Sequence, residues 1–138
     1  MSDHQSFEYS VLIRESHLDS FGHVNNAVYV QLYEEARWDF ITKNGFGLDV
    51  ISKTQMGPVI LDLKVRFKRE LKNRETITII SKTLDLVSPK ILTVEQVMLK
   101  ADGKIASEAQ FTVGFFDLKE RKLINASPDW LKAVGISK

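Results

Sequence analysis

The sequence predicts an α+β domain in which one antiparallel sheet is covered on one face by a single long helix. Three features predict it. Several segments alternate apolar and polar residues with a period of two, the spacing of a half-buried strand. A single long segment carries an apolar stripe at the 3.6-residue period of a helix. After that helix the alternating segments follow one another through short connections, so no series of crossover helices exists to build a parallel sheet.

In chain order, Phe7, Tyr9, Val11 and Ile13 alternate with Glu8, Ser10, Leu12 and Arg14, which predicts a first strand over residues 7–14. Residues 15–24 break the period with Asp19, Ser20 and Gly22 and read as a loop. Tyr29, Leu32, Tyr33, Ala36 and Phe40 then fall at i, i+3, i+4, i+7 and i+11, predicting a helix from residue 26 to about 43. Asn25 or Asn26 supplies the N-cap and Asn44-Gly45 the stop, and at 1.5 Å per residue the helix spans about 27 Å.

A glycine-containing connection leads to Val59, Leu61, Leu63, Val65 and Phe67, which alternate strictly with Ile60, Asp62, Lys64, Arg66 and Lys68. This predicts a strand with one apolar and one largely basic face. Residues 76–86 and 91–100, rich in β-branched side chains, read as two antiparallel strands around the turn Val87-Ser88-Pro89-Lys90. Ala101-Asp102-Gly103 turns the chain into a fifth strand, where Ile105, Ser107, Ala109, Phe111, Val113 and Phe115 alternate with Glu108, Gln110 and Thr112. Ser127-Pro128-Asp129 places a cap, an N1 proline and an early acid before Trp130 and Leu131, the start of a short terminal helix.

At 138 residues and 15.7 kDa, with 43% hydrophobic and 27% charged residues, the chain reads as one domain over residues 1–138. Nineteen basic and 18 acidic residues leave a net charge of +1, so no global field favours nucleic acid or an anionic membrane. The lack of cysteine excludes a disulfide scaffold, a thiolate metal site and a cysteine nucleophile. Residues 1–5 are polar and no stretch approaches the ~20 apolar residues of a membrane helix, so the expectation is a soluble, unexported, cytoplasmic protein.

Chemistry concentrates in Arg14-Glu15-Ser16-His17-Leu18-Asp19-Ser20-Phe21-Gly22-His23-Val24-Asn25-Asn26, between a strand and a helix start. A carboxylate here lies near unpaired helix N–H groups, and those same groups can stabilise an oxyanion formed from a carbonyl. The plainer alternative is that Asp19 and Asn25 only cap turns. His17, Asp19 and His23 are of the right type for Zn²⁺ or Fe²⁺, but their spacing matches no zinc signature and the third histidine, His4, is remote. Ser16, Ser20 or Ser88 could serve a hydrolase triad, yet no Gly-x-Ser-x-Gly elbow occurs.

The run Asp19-Ser20-Phe21-Gly22-His23-Val24-Asn25-Asn26-Ala27-Val28-Tyr29, with Glu34-Glu35-Ala36-Arg37 downstream, resembles the active-site loop and central helix of hotdog-fold acyl-CoA thioesterases. It is similar to the 4-hydroxybenzoyl-CoA thioesterase family, especially its bacterial long-chain acyl-CoA members, and Val65-Arg66-Phe67-Lys68-Arg69 resembles that family's second strand. The resemblance implies a hotdog fold, with five antiparallel strands wrapped around one long helix. It also implies hydrolysis of an acyl-CoA to free acid and CoA, with Asp19 as nucleophile or as base for water. The substrate carbonyl would be held at the helix N-terminus, with Gly22, His23, Val24, Asn25 and Asn26 as oxyanion and loop support.

Tyr29 and Tyr33 would line the acyl pocket or belong to the core; Arg66, Lys68 and Arg69 would meet the CoA phosphates or form a solvated strand face. Glu34 and Arg37 read equally as a helix-surface pair, and His23 as a loop brace. No metal or other cofactor is implied. Relatives assemble as homodimers or homotetramers with active sites between subunits, and an acyl carrier protein is an alternative carrier. Two departures stand out: His17 replaces an aspartate common two residues before the catalytic one, and Arg74-Glu75 replaces a Gly-Asp-like turn. A hotdog enoyl-thioester hydratase and a non-catalytic acyl-thioester or lipid-binding module are the competing readings.

Overall fold

The computed structural model describes residues 5–136; His4 lies outside the described residues. In chain order the elements are β1 (Ser6–Leu12), α1 (Asn26–Lys43), α2 (Leu48–Thr54), β2 (Met56–Phe67), β3 (Thr76–Thr83), β4 (Ile91–Leu99), β5 (Ile105–Asp117), β6 (Lys122–Leu123) and α3 (Pro128–Ala133). A single antiparallel sheet runs β1-β3-β4-β5-β2, with the two-residue β6 added beside β5. The five predicted strands are thus joined by one short hairpin strand.

The sheet curls around α1. Tyr29, Leu32, Tyr33, Ala36 and Phe40, the helix stripe, are all buried, and they meet period-two rows from the strands: Ile77 and Ile79 of β3, Leu92, Val94 and Met98 of β4, Phe111 and Val113 of β5. The N-cap of α1 is Asn25, whose side chain accepts from the Ala27 N–H, and Gly45 follows its end at φ 93. Ser127 caps α3 through the Trp130 N–H, seating Trp130 against Phe46 and Phe115.

A network of polar residues interrupts this core. Ser81 and Gln96 occupy inward positions of β3 and β4, and Arg37, expected on the helix surface, is only 8% exposed. The Arg37 guanidinium stacks 4.0 Å over Phe111 and donates to Gln96 Oε1 at 2.9 Å. Gln96 Nε2 donates in turn to Ser81 Oγ and to the Tyr33 carbonyl. Burial pushes Arg37 down to about 10, so it remains charged at neutral pH. Removing the hub strands a buried cation and a buried hydroxyl together, so Gln96→Ala is expected to cost about 3 kcal/mol, read as a lower urea midpoint. A midpoint shift below about 0.5 kcal/mol in equivalent would show that the network contributes little.

Three expectations are corrected. The connection before β2 contains the helix α2, whose seven residues are too few to display an apolar stripe. The strict alternation predicted for β2 fails at a bulge between Ile60 and Asp62. Ile60 pairs with the inward Val113 and Leu63 with the inward Phe111, so one extra residue, Leu61, exchanges the faces. Val59 and Leu61 therefore pack on the outer side around Gly114, where an added Cβ would stand 2.6 Å from Leu123 and 3.2 Å from Leu61. The strand also begins earlier than predicted, at Met56, because Pro58 is tolerated on a sheet edge.

Candidate active site

The loop between β1 and α1 is more ordered than its composition suggests. A short 3₁₀ turn over Glu15–His17 is closed by His17 Nδ1, which accepts from the Arg14 N–H at 2.9 Å. Leu18 and Val24 then form an isolated antiparallel bridge, so the intervening residues are a miniature hairpin. Asp19 governs it. Its Oδ1 accepts from Phe21 N–H (2.9 Å) and His23 N–H (3.2 Å), while the Asp19 N–H donates to the His23 carbonyl at 2.8 Å. Gly22 completes the turn at φ 80, in the left-handed region where a β-carbon costs energy.

Asp19 does cap a turn, as the plainer reading holds, but through one oxygen. Among the described residues Oδ2 has no hydrogen-bond partner. The hairpin delivers the chain directly to the N-terminus of α1. There the Ala27 N–H is taken by the Asn25 side chain, and those of Val28 and Tyr29 by the Asn25 carbonyl. The Asn26 N–H is left without a partner among the described residues. Among the described residues, a half-free carboxylate and an unpartnered helix N–H therefore sit at the two ends of one short hairpin, an arrangement whose chemistry suits a nucleophile or base beside an oxyanion donor.

A cleft of about 320 Å³ opens beside this N-terminus, lined by Val24, Asn26, Tyr29, Phe67, Lys68, Arg69 and Glu70. Tyr29 joins its walls. The hydroxyl donates to the Arg69 carbonyl at 3.3 Å, its ring meets Phe67 edge-on at 5.0 Å, and burial raises its pKa. Lys68 pairs with Glu108 at 2.6 Å, and the Arg69 guanidinium donates to the Ile105 carbonyl at 2.7 Å.

The structure does not bring every candidate here. Tyr33 is fully buried, its hydroxyl donating to Ser107 Oγ at 2.8 Å, with burial raising its pKa. It is core. Arg66 lies on the outer sheet face, opposite Glu108 and beside Lys64 and Glu95, because alternation after the bulge turns even-numbered residues outward. Ser88 serves the turn between β3 and β4, accepting from the Lys90 N–H. Among the described residues no three His, Asp or Glu side chains converge as a metal site would need.

Two cleft residues escaped the sequence reading. Phe67 reads in the sequence only as part of a strand face. Glu70 carried no signal at all, since nothing in linear order connects it to His23; yet its Oε2 stands 2.7 Å from His23 Nδ1. The unusual Arg74-Glu75 turn is also explained. Arg74 takes φ 66, and its guanidinium donates to both carboxylate oxygens of Glu15, at 2.9 and 2.7 Å. The Asn73 amide and Arg74 hold Glu15 down to about 2.

Residues 13–134 match the thioesterase-like superfamily. The long-chain acyl-CoA thioesterase FadM of Escherichia coli is 27% identical over 114 residues, covering 83% of this chain and 86% of that protein. Among solved structures, the YbaW probable thioesterase of Escherichia coli superposes with a TM-score of 0.78 at 26% identity, over 91% of this chain and 94% of that one. SAV2348 of Staphylococcus aureus, solved in complex with CoA, reaches a TM-score of 0.87 at 17% identity, over 95% of this chain and 82% of that one. Strand order, central helix and sequence match agree: the chain has the hotdog fold, belongs to the thioesterase-like superfamily, and is a thioester hydrolase.

Proposed function

We propose that the protein hydrolyses fatty acyl-CoA thioesters at the Asp19 hairpin. The observation that carries this reading is the placement of the Asp19 carboxylate and the Asn26 N–H at the start of α1, with Oδ2 and that N–H both unpartnered among the described residues. The substrate carbonyl oxygen accepts from that N–H, in the favourable field of the helix N-terminus, as negative charge develops on it. The Asp19 carboxylate attacks the carbonyl carbon or takes the proton of the water that does. If Asp19 attacks, the C–S bond breaks to give CoA thiolate and an acyl–Asp19 anhydride, which water hydrolyses to the free acid and the restored carboxylate. If Asp19 acts as base, the water-derived tetrahedral intermediate collapses with C–S cleavage to the free acid, and the proton held by Asp19 passes to the departing thiolate. Lys68 and Arg69, which line the cleft, are the cations for the CoA phosphates.

The active unit is a homodimer joined through β2, and an acyl carrier protein can replace CoA as carrier. FadM acts on long chains, and long aliphatic chains are the expected preference here. No helix among the described residues is long and apolar enough to cross a membrane, and the cytoplasm is the compartment this reading assigns.

The test is a thiol-release screen over aromatic, short-chain and long-chain acyl-CoAs. Release is expected to be fastest with long aliphatic chains. Release only from aromatic acyl-CoAs would reassign the substrate, and binding without release would make the chain a non-catalytic acyl-thioester module. Addition of water across an enoyl-CoA with the thioester intact would make it a hydratase.

A further inference from the structure

We propose that Glu70 is a positioning residue for the reaction: by holding His23 it fixes the hairpin that presents Asp19. This rests on the assignment of Asp19 above. The His23 Nδ1 to Glu70 Oε2 distance of 2.7 Å requires a proton between them, and a carboxylate only accepts, so Nδ1 donates. The ring is thereby fixed in one orientation. Its backbone is bonded to Asp19 in both directions, His23 N–H to Asp19 Oδ1 and Asp19 N–H to the His23 carbonyl, so a displacement of His23 is a displacement of Asp19.

Glu70 is built as an anchor rather than as a passing surface charge. Its carbonyl accepts from Lys100 Nζ at 2.6 Å, and that ammonium is itself held by Glu75 at 2.9 Å in a pair only 12% and 13% exposed. The Lys100 ammonium and the N–H groups of Lys72 and Ala101 outweigh the burial that would raise Glu75, and keep its carboxyl below the ordinary range. On the N-terminal side, the Lys68 and Arg69 N–H groups both donate to the Ala106 carbonyl, and Tyr29 fastens the Arg69 carbonyl to α1. On the C-terminal side, Leu71 is buried. A mount tied to β5, to α1 and to an enclosed ion pair thus offers its one outward carboxylate to the hairpin. Without it the hairpin keeps its own turn bonds, the Leu18–Val24 bridge and the packing of Leu18 and Val24 on the core, but loses the side-chain tie at His23.

The His23 and Glu70 side chains are 54% and 56% exposed, and an exposed pair contributes little to overall stability. Position and stability can therefore be separated by experiment. Steady-state kinetics and melting temperatures are measured on the full chain for Glu70→Ala, Glu70→Gln, His23→Ala, the Glu70→Ala/His23→Ala double variant and Asp19→Asn. Glu70→Ala is expected to lower kcat about tenfold, with KM within about twofold and melting unchanged. Glu70→Gln keeps an oxygen to accept from Nδ1 and is expected to recover most of that loss. In the double variant, Glu70→Ala should add nothing to the effect of His23→Ala. Unchanged kcat in Glu70→Ala, a loss confined to KM, or full additivity in the double variant would overturn the proposal. An inactive Asp19→Asn with a fully active Glu70→Ala defeats the Glu70 role alone; an active Asp19→Asn defeats the Asp19 assignment and this role with it.

Discussion

Asp19→Asn is expected to lower kcat by about a hundredfold or more while leaving the fold intact. Asparagine is the informative replacement because its Oδ1 still accepts from the Phe21 and His23 N–H groups, so the hairpin and the approach to α1 are preserved. What disappears is the charge on Oδ2, and with it both the nucleophile and the base. A hundredfold corresponds to about 2.7 kcal/mol of transition-state stabilisation, within what a single acid–base or nucleophilic group provides. The check is thiol release from long-chain acyl-CoA at saturating substrate, alongside a thermal melt. Near-native turnover in a folded variant would remove Asp19 from the reaction and return it to the role of turn cap.

The second large effect concerns assembly. β2 is a twelve-residue edge strand, its far side unpaired among the described residues, and it carries Ile60, Leu61, Leu63 and Phe67 at 40, 46, 46 and 52% exposure. A long apolar edge left open is a template for strand pairing, and pairing with a second copy closes it. Phe67 and Lys68 at the end of this strand also wall the cleft beside Asn26, so closing the edge changes the site. Leu63→Glu tests the link. Leu63 is half exposed in the single chain, so a charge there leaves the protomer folded but obstructs a second β2. Light scattering should fall from about twice 15.7 kDa to that of one chain, with activity down more than about tenfold. A monomeric Leu63→Glu protein with full activity would separate assembly from function, and a wild-type monomer at micromolar concentration would remove the dimer.

Much of this was legible in linear order because the information was local. The α1 stripe, the Asn25 cap and the Gly45 stop each depend on residues within a turn or two of each other, and the helix runs where periodicity places it. The strand rows of β3, β4 and β5 follow for the same reason: a sheet that buries one face imposes a period of two. Ahead of α1 the residue types mark a loop and the Asn25 cap, while the closure of that loop into a hairpin by Asp19 and Gly22 is visible only in the structure.

What the sequence by itself determined is therefore the α+β class, the central helix and the loop ahead of it, within which the family resemblance singles out Asp19. Tertiary structure decided the remainder, and in each case the reason is a contact between distant segments. The bulge at Leu61 arises from pairing with β5 and exchanges the faces that strict alternation assigned. Arg37 reads as a surface partner of Glu34 until Gln96, 59 positions away, and Phe111 enclose it. Arg66 and Lys68 share one basic run, yet only Lys68 reaches the cleft, because the strand ends where the chain turns toward α1. Glu70 meets His23 only because the end of β2 is carried to the start of α1, an approach made by the curl of the sheet and encoded in no local pattern.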